Sequence, residues 1–251
     1  MEGIARDQLA VYLNDWLEID RFKDYSPNGL QVEGKAHIRR LAVAVTATRE
    51  VIEKAADWGA DALIVHHGWF WRGEDPRLVG YRQKRLRALL VAEINLFAFH
   101  LPLDVHQEVG NNVCLGRVMG WPSPALLGEQ QLIARADLPE AVSAEALQQQ
   151  LAFHLERPVL AVGAVDRPIQ RLAWCTGAAQ DMIQAAADLG ADAFVSGEIS
   201  ERSTYMAREI GITYFAAGHY ATERFGVQAL GKHLQARFPL QSRFIEDPNP
   251  A

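Results

Sequence analysis

Cysteine is almost missing from this chain: Cys114 and Cys175 are the only two, and no Cys-x-x-Cys spacing occurs. That excludes a disulfide framework and a cysteine-built zinc ribbon, and it suits a reducing compartment. No apolar run approaches the length of a membrane span, and Met1–Asp7 has no basic stretch leading into an apolar one. A soluble cytoplasmic protein with no membrane contact is expected. Positive charge is also short, with 25 Lys and Arg against 31 Asp and Glu for a formal charge of −6. This argues against a general nucleic-acid coat protein, although a local basic patch remains open. No nucleophile elbow, P-loop or Gly-x-Gly-x-x-Gly sits at a strand-to-helix turn. Serine-hydrolase and kinase chemistry therefore have no support.

What is present is a chain of 251 residues, 49% hydrophobic, long enough for one large α/β domain or two small ones. Its organising stretch is Asp61–Gly68. Leu63, Ile64 and Val65 read as a strand buried on both faces, running into His66, His67 and Gly68. Ligands collect past the carboxyl ends of such strands. Neighbouring strand residues point to opposite faces, so the two imidazoles are expected to converge by the chain leaving the strand there. Gly68 would ease that departure. The plainer alternative is two histidines in a hydrogen-bonded loop.

Around this stretch, apolar spacing over Ile4–Leu17 predicts an amphipathic helix, and Pro27-Asn28-Gly29 a turn into a strand at Leu30–Val32. Arg40–Val45, Arg49–Trp58 and Ala62–Val65 alternate as strand, helix and strand, which suggests a parallel sheet. Arg72, Arg77, Arg82, Lys84, Arg85 and Arg87 form a basic run, read as a solvated helix face or as a lure for an anionic substrate. Leu89–Phe99 carries the chain through a helix end and another strand, and Trp121-Pro-Ser-Pro124 reads as a linker. Beyond it a strand (Gln131–Ala136), a helix capped by Ser143 (to Leu155) and a strand (Val159–Val165) are expected.

The sequence then repeats itself. Arg39–His67 aligns without a gap against Gln170–Glu198, with twelve of twenty-nine positions identical. Ala55-Ala-Asp-Trp-Gly-Ala-Asp-Ala62 matches Ala186-Ala-Asp-Leu-Gly-Ala-Asp-Ala193, and His100-x-x-x-Asp104 parallels His219-x-x-x-Glu223. The expected fold is therefore α/β, with two related lobes from an internal duplication and mixed or parallel sheets flanked by helices. The lobes are placed at 1–121 and 122–251, with a shared site in the cleft between them.

Five of the eight histidines fall at equivalent strand ends: His66, His67, His100, His106 and His219, accompanied by Asp104, Glu198 and Glu223. Residues four apart on a helix share a face, so His219 and Glu223 can reach one ion if a helix starts near Gly218. Mixed imidazole and carboxylate donors suit zinc, iron, manganese or nickel. The set is too large for one ion, and two divalent ions roughly 3.5–4 Å apart use it better, activating a water as nucleophile. His100 or His106 would shuttle protons, and Glu198 would orient a ligand imidazole from behind. A polar network without metal is the alternative.

Asn28-Gly-Leu-Gln-Val-Glu-Gly34, Val65-His-His-Gly68, His100-Leu-Pro-Leu-Asp104, Gly110-Asn-Asn112, Ser196-Gly-Glu198, Gly218-His-Tyr-Ala-Thr-Glu223 and the closing Phe244-Ile-Glu-Asp-Pro-Asn249 together resemble the GTP cyclohydrolase 1 type 2 homologue family. The resemblance spans nearly the whole chain in order and looks like the family's short form, without an inserted domain. It implies metal ligands at His66, His67, Asp104, His219 and Glu223, with Glu223 bridging two metal ions per subunit. It also implies a homohexameric toroid, a trimer of dimers with the sites facing its cavity. The activity implied is a metal-dependent hydrolase in which a metal-bound hydroxide attacks a nucleotide-like substrate. A two-metal phosphoesterase or nuclease, and a metal-binding scaffold or regulator of a protein or of DNA, are the competing expectations.

Overall fold

The computed structural model describes residues 3–251, and compactness divides the chain into two units. The first runs to Val109 and takes back Val227–Asp247; the second is Gly110–Gly226 with Pro248–Ala251.

The first unit contains β1 (Ile4–Ala5), α1 (Arg6–Trp16), β2 (Gly29–Val32), β3 (His37–Ile38), β4 (Arg40–Thr46), α2 (Arg49–Trp58), β5 (Ala62–His67), α3 (Gly80–Val91), β6 (Asn95–Ala98) and α4 (Leu101–Val105). The second contains α5 (Asn111–Val118), β7 (Ala125–Leu127), β8 (Ile133–Val142), α6 (Ala144–Leu155), β9 (Leu160–Gly163), β10 (Ile169–Cys175), α7 (Ile183–Asp188), β11 (Ala193–Ser196), α8 (Glu201–Ile210) and β12 (Thr213–Ala216). Helix α9 (His219–Arg237) begins in the second unit and from Val227 onward belongs to the first, which ends with β13 (Gln241–Phe244). Among the described residues, no helix is long and apolar enough to cross a membrane.

The first unit's main sheet has the order β13-β4-β5-β6-β2, parallel except for the antiparallel edge strand β2. The second has the order β7-β8-β10-β11-β12-β9, in which β10, β11 and β12 are parallel, β8 and β9 run against them, and edge strand β7 runs against β8. The central strands are apolar on both faces because helices cover both: Leu41, Leu63, Ile64 and Val65 are buried in one sheet, and Leu172, Phe194 and Val195 in the other. Helix α2 forms where expected. Thr48 accepts the Val51 amide at 3.2 Å, Val51, Ile52 and Ala55 face the core, and Gly59 at φ +74° ends it.

The sequence repeat is a structural one. Leu41 pairs with Ala62 in the first sheet, and Leu172 with Ala193 in the second. Asp61 accepts the Arg39 and Arg40 amides at 2.9 and 3.0 Å, and Asp192 accepts those of Gln170 and Arg171 at 3.1 and 2.7 Å. The same aspartate in each copy thus pins the start of one strand to the start of the next.

The units divide at positions that composition did not mark. The coil around Trp121–Pro124 lies inside the second unit, because α5 ahead of it packs there. A Cβ on Gly116 of α5 would lie 2.9 Å from the Trp174 ring of β10. The last turns of α9 return to the first unit for the same reason: a Cβ on Gly231 would lie 3.0 Å from Val43 of β4. Strand β8 also extends past the expected Ala136 to Val142, pairing with Ile169 beyond a register shift.

Candidate metal centre

Strand β5 runs through both His66 and His67, which corrects the expectation that the chain leaves the strand at the histidines; it leaves at Gly68. On one side pairing with β6 ends at Val65–Ala98, while on the other Thr46 still pairs with His67. Held by one neighbouring strand only, the end of β5 can twist, and the two rings lie 4.6 Å apart by their centroids. His66 is fully buried. Its Nδ1 is 2.9 Å from the Phe99 carbonyl, an acceptor only, so Nδ1 carries the proton and Nε2 keeps its lone pair. That Nε2 lies 3.5 Å from the carboxylate of Asp104, itself buried on α4. His67 is held through Nδ1 by the Thr46 hydroxyl at 3.0 Å.

His100 joins these two: its ring centroid is 5.1 Å from that of His66 and 6.0 Å from that of His67. His66, His67 and His100 each offer a ring nitrogen to a group that could hold a metal ion. His100 is positioned by Asn28, which opens the Asn28–Gly34 motif, and by Asp24, which carries no functional signal in the sequence. Its Nδ1 lies 2.6 Å from Asp24, and its amide donates to the Asn28 side chain at 2.7 Å. Asp24 also accepts from the Leu101 amide and the Asn28 amide group. Burial pushes the Asp24 carboxyl up, but the His100 imidazole and these donors outweigh it and hold it at about 2. Over the cluster lies Trp71, edge-on to His100 at 4.9 Å.

His106 lies elsewhere. It follows the short helix α4, packs its ring 4.2 Å from Trp16, and accepts the Glu108 and Val109 amides on Nδ1. Burial pulls its pKa down. The structure does not bring it together with His66, His67 and His100.

In the second unit α9 starts at His219, so the spacing of four does place Glu223 beside it: Nε2 and the carboxylate are 3.1 Å apart. Glu198, in the loop after β11, lies 2.7 Å from Nδ1 of the same ring. Burial pulls the imidazole down, but the two carboxylates overcome it and push His219 up to about 9. Glu223 is 3% exposed. A carboxylate so deep demands cationic company. The chain makes room for it with Gly177, at φ +70°, where a Cβ would fall 2.0 Å from a Glu223 oxygen and 3.2 Å from His219 Nε2. Gly177 is a site residue that the sequence did not flag.

These residues fit a divalent metal. Imidazole nitrogens with lone pairs turned inward, backed by carboxylate, hydroxyl or carbonyl partners, and buried carboxylates are the donors such ions take.

The comparisons with known proteins agree in one direction. The family model described as Duf34/NIF3 (NGG1p interacting factor 3) matches residues 4–250. A protein of Allochromatium vinosum named GTP cyclohydrolase 1 type 2 homolog is 50% identical over 100% of both chains. One of the same name from Pseudomonas aeruginosa is 45% identical over 99% of this chain and 100% of its own. A solved structure from Thermus thermophilus is 35% identical and superposes with a TM-score of 0.89 over 99% of this chain and 100% of that one. With a shared fold, full-length coverage and this level of identity, the chain belongs to the Duf34/NIF3 family and is a relative of the proteins named GTP cyclohydrolase 1 type 2 homolog.

Proposed function

We propose that His66, His67, Asp104, His219 and Glu223 are metal ligands, and that the chain would hold two divalent ions. The protein is then a metal-dependent hydrolase of a nucleotide-like substrate, in which Glu223 would be one of the ligands. The observation that carries this reading is the preparation of each donor. His66 is tautomer-locked by the Phe99 carbonyl, His219 is backed by Glu198, and Glu223 is seated against Gly177, where no Cβ fits. Two bound divalent ions would supply Lewis acidity and an activated water at neutral pH.

The rest of the work falls to the chain. His100, held by Asp24 through Nδ1, presents Nε2 as the proton carrier beside His66 and His67. Buried Asp104 lies 3.5 Å from His66 Nε2, so that both would offer lone pairs to an ion. The names carried by the relatives support a purine nucleotide as substrate. A cytoplasmic location is part of the reading, supported by two buried cysteines that form no disulfide, as is the homohexamer.

The test is hydrolysis of a nucleoside triphosphate panel by protein loaded with zinc, iron, manganese or nickel, with formate and phosphate measured separately. Formate release that disappears in Glu223→Ala supports the cyclohydrolase reading. Phosphate release alone moves it to a phosphoesterase. No turnover with any metal leaves a metal-binding scaffold and overturns the hydrolase.

A further inference from the structure

Between the loop after β5 and the first turns of α3 lies a cavity of about 240 Å³ whose lining includes Trp69, Phe70, Trp71, Tyr81, Arg82 and Arg85. Four aromatic rings and two guanidinium groups around one small hollow is an unusual concentration. The same segment carries the basic run of the sequence, six cations against Glu74 and Asp75 between positions 72 and 87. The two acids are already engaged, Glu74 with Arg82 and Asp75 with Arg77, both by ion pairs. Arg85 instead lays its guanidinium 5.1 Å from the Tyr81 ring centroid, and Arg82 lies 5.8 Å from the same ring.

The loop is built to hold its aromatic side chains in place. The Trp69 amide donates to Gln31 at 2.7 Å, its indole N–H to the Ala47 carbonyl at 3.2 Å, and the Arg72 amide to the Tyr25 carbonyl at 2.7 Å. Between these anchors Phe70 sits at φ +66°, a left-handed backbone that a phenylalanine adopts only under constraint. Its ring stays 48% exposed, as Leu78 is at 48% and Tyr81 at 59%. Exposed apolar side chains grouped around one cavity mark a ligand surface. Trp71 is shared: it lines the cavity and meets His100 edge-on at 4.9 Å. A ring held in the cavity is separated from the histidine cluster by that one indole.

We propose that this cavity is a subsite for a nucleotide, with the planar base stacked among Tyr81, Phe70 and Trp71 and the phosphate on Arg85. Stacking is indifferent to which base is present, because every base has a π-face. The guanidinium fork matches phosphate oxygens in pairs. The local cation excess, set in a chain of net negative charge, selects an anion over a neutral ring. This goes beyond the hydrolase reading: it names a nucleotide-binding cavity beside the histidine cluster, asks for binding only and holds without turnover.

The experiment is calorimetric titration of the full chain with GMP, guanosine and ribose 5-phosphate, repeated on Tyr81→Ala, Arg85→Glu and Glu223→Ala, with metal content measured on each. GMP is expected to bind, with guanosine and ribose 5-phosphate each weaker by about tenfold or more. Tyr81→Ala and Arg85→Glu are expected to weaken GMP by a similar factor at unchanged metal content, while Glu223→Ala leaves it within about threefold. Ribose 5-phosphate binding as tightly as GMP would mean a bare anion patch and overturns the proposal. So does GMP affinity indifferent to both Tyr81→Ala and Arg85→Glu, or no GMP binding at all. Binding lost only in Glu223→Ala would place the nucleotide at the metal ligands, overturning the subsite while leaving the hydrolase reading standing.

Discussion

The two copies of the repeat have kept their scaffold and exchanged their chemistry. Asp61 and Asp192 make the same pair of amide contacts, and the Asn95 and Thr213 amides reach the Asp61 and Asp192 carbonyls at 3.0 and 3.1 Å. At the strand ends the likeness stops. The first copy finishes in His66-His67 and the second in Gly197-Glu198, and the following histidine is handled differently in each. His219 takes its backing carboxylate from Glu198 within the repeat, whereas His100 takes it from Asp24, far upstream. His219 meets the carboxylate four residues on, but Asp104 lies 3.5 Å from His66 instead. Backbone hydrogen bonding constrains a duplicated scaffold tightly, while side chains at strand ends can specialise.

The sharpest way to break that equivalence is in the packing beneath it. Trp174 and Val43 occupy matching positions, each against a glycine of a crossing helix, Gly116 and Gly231. Trp174 is fully buried, packs at a tilt 4.9 Å from Trp121 and donates to the Asn112 carbonyl at 2.8 Å. Trp174→Ala is expected to cost about 3–5 kcal/mol in denaturant unfolding, and Val43→Ala about 2 kcal/mol. A next, smaller effect tests the shared scaffold. Asp61→Ala and Asp192→Ala should each lose about 2 kcal/mol by chemical denaturation, since both strand amides and the carboxylate bond go together. A difference between them well above about 1 kcal/mol would deny that the two aspartates do the same job.

How much of this could be read beforehand follows from where each signal lives. The apolar run ahead of His66 and the spacing of His219 and Glu223 are local, and both lead to site residues. Asp24 and Gly177 act through contacts with residues 76 and more than 40 positions away, so neither spacing nor periodicity reveals them. Sequence proximity groups His106 with His100, yet the helix α4 between them carries it to Trp16. The limits of the two units escaped the sequence for a similar reason: they depend on which sheet α5 and α9 pack against.

The smallest effects concern pH, and the copies should respond with opposite sign in protein stripped of metal by chelation. Asp24, held at about 2 when folded against a usual value near 3.8, contributes about 1–2 kcal/mol. That stability is fully present above about pH 4 and is lost as pH falls toward 2. His219, raised to about 9 from 6.5, contributes stability that is fully present below about pH 6.5 and fades as pH rises through 9. Thermal melts across pH should show Asp24→Asn flattening the acid limb only and Glu198→Gln reducing the alkaline one.

Metal analysis by mass spectrometry, on protein purified without chelator alongside Glu223→Ala, decides whether this chain holds a metal centre. About two divalent transition-metal ions per chain are expected in the wild type, with a sharp fall in the variant. A wild-type chain that is folded, metal-free and unable to take up added zinc, iron, manganese or nickel would contradict that expectation.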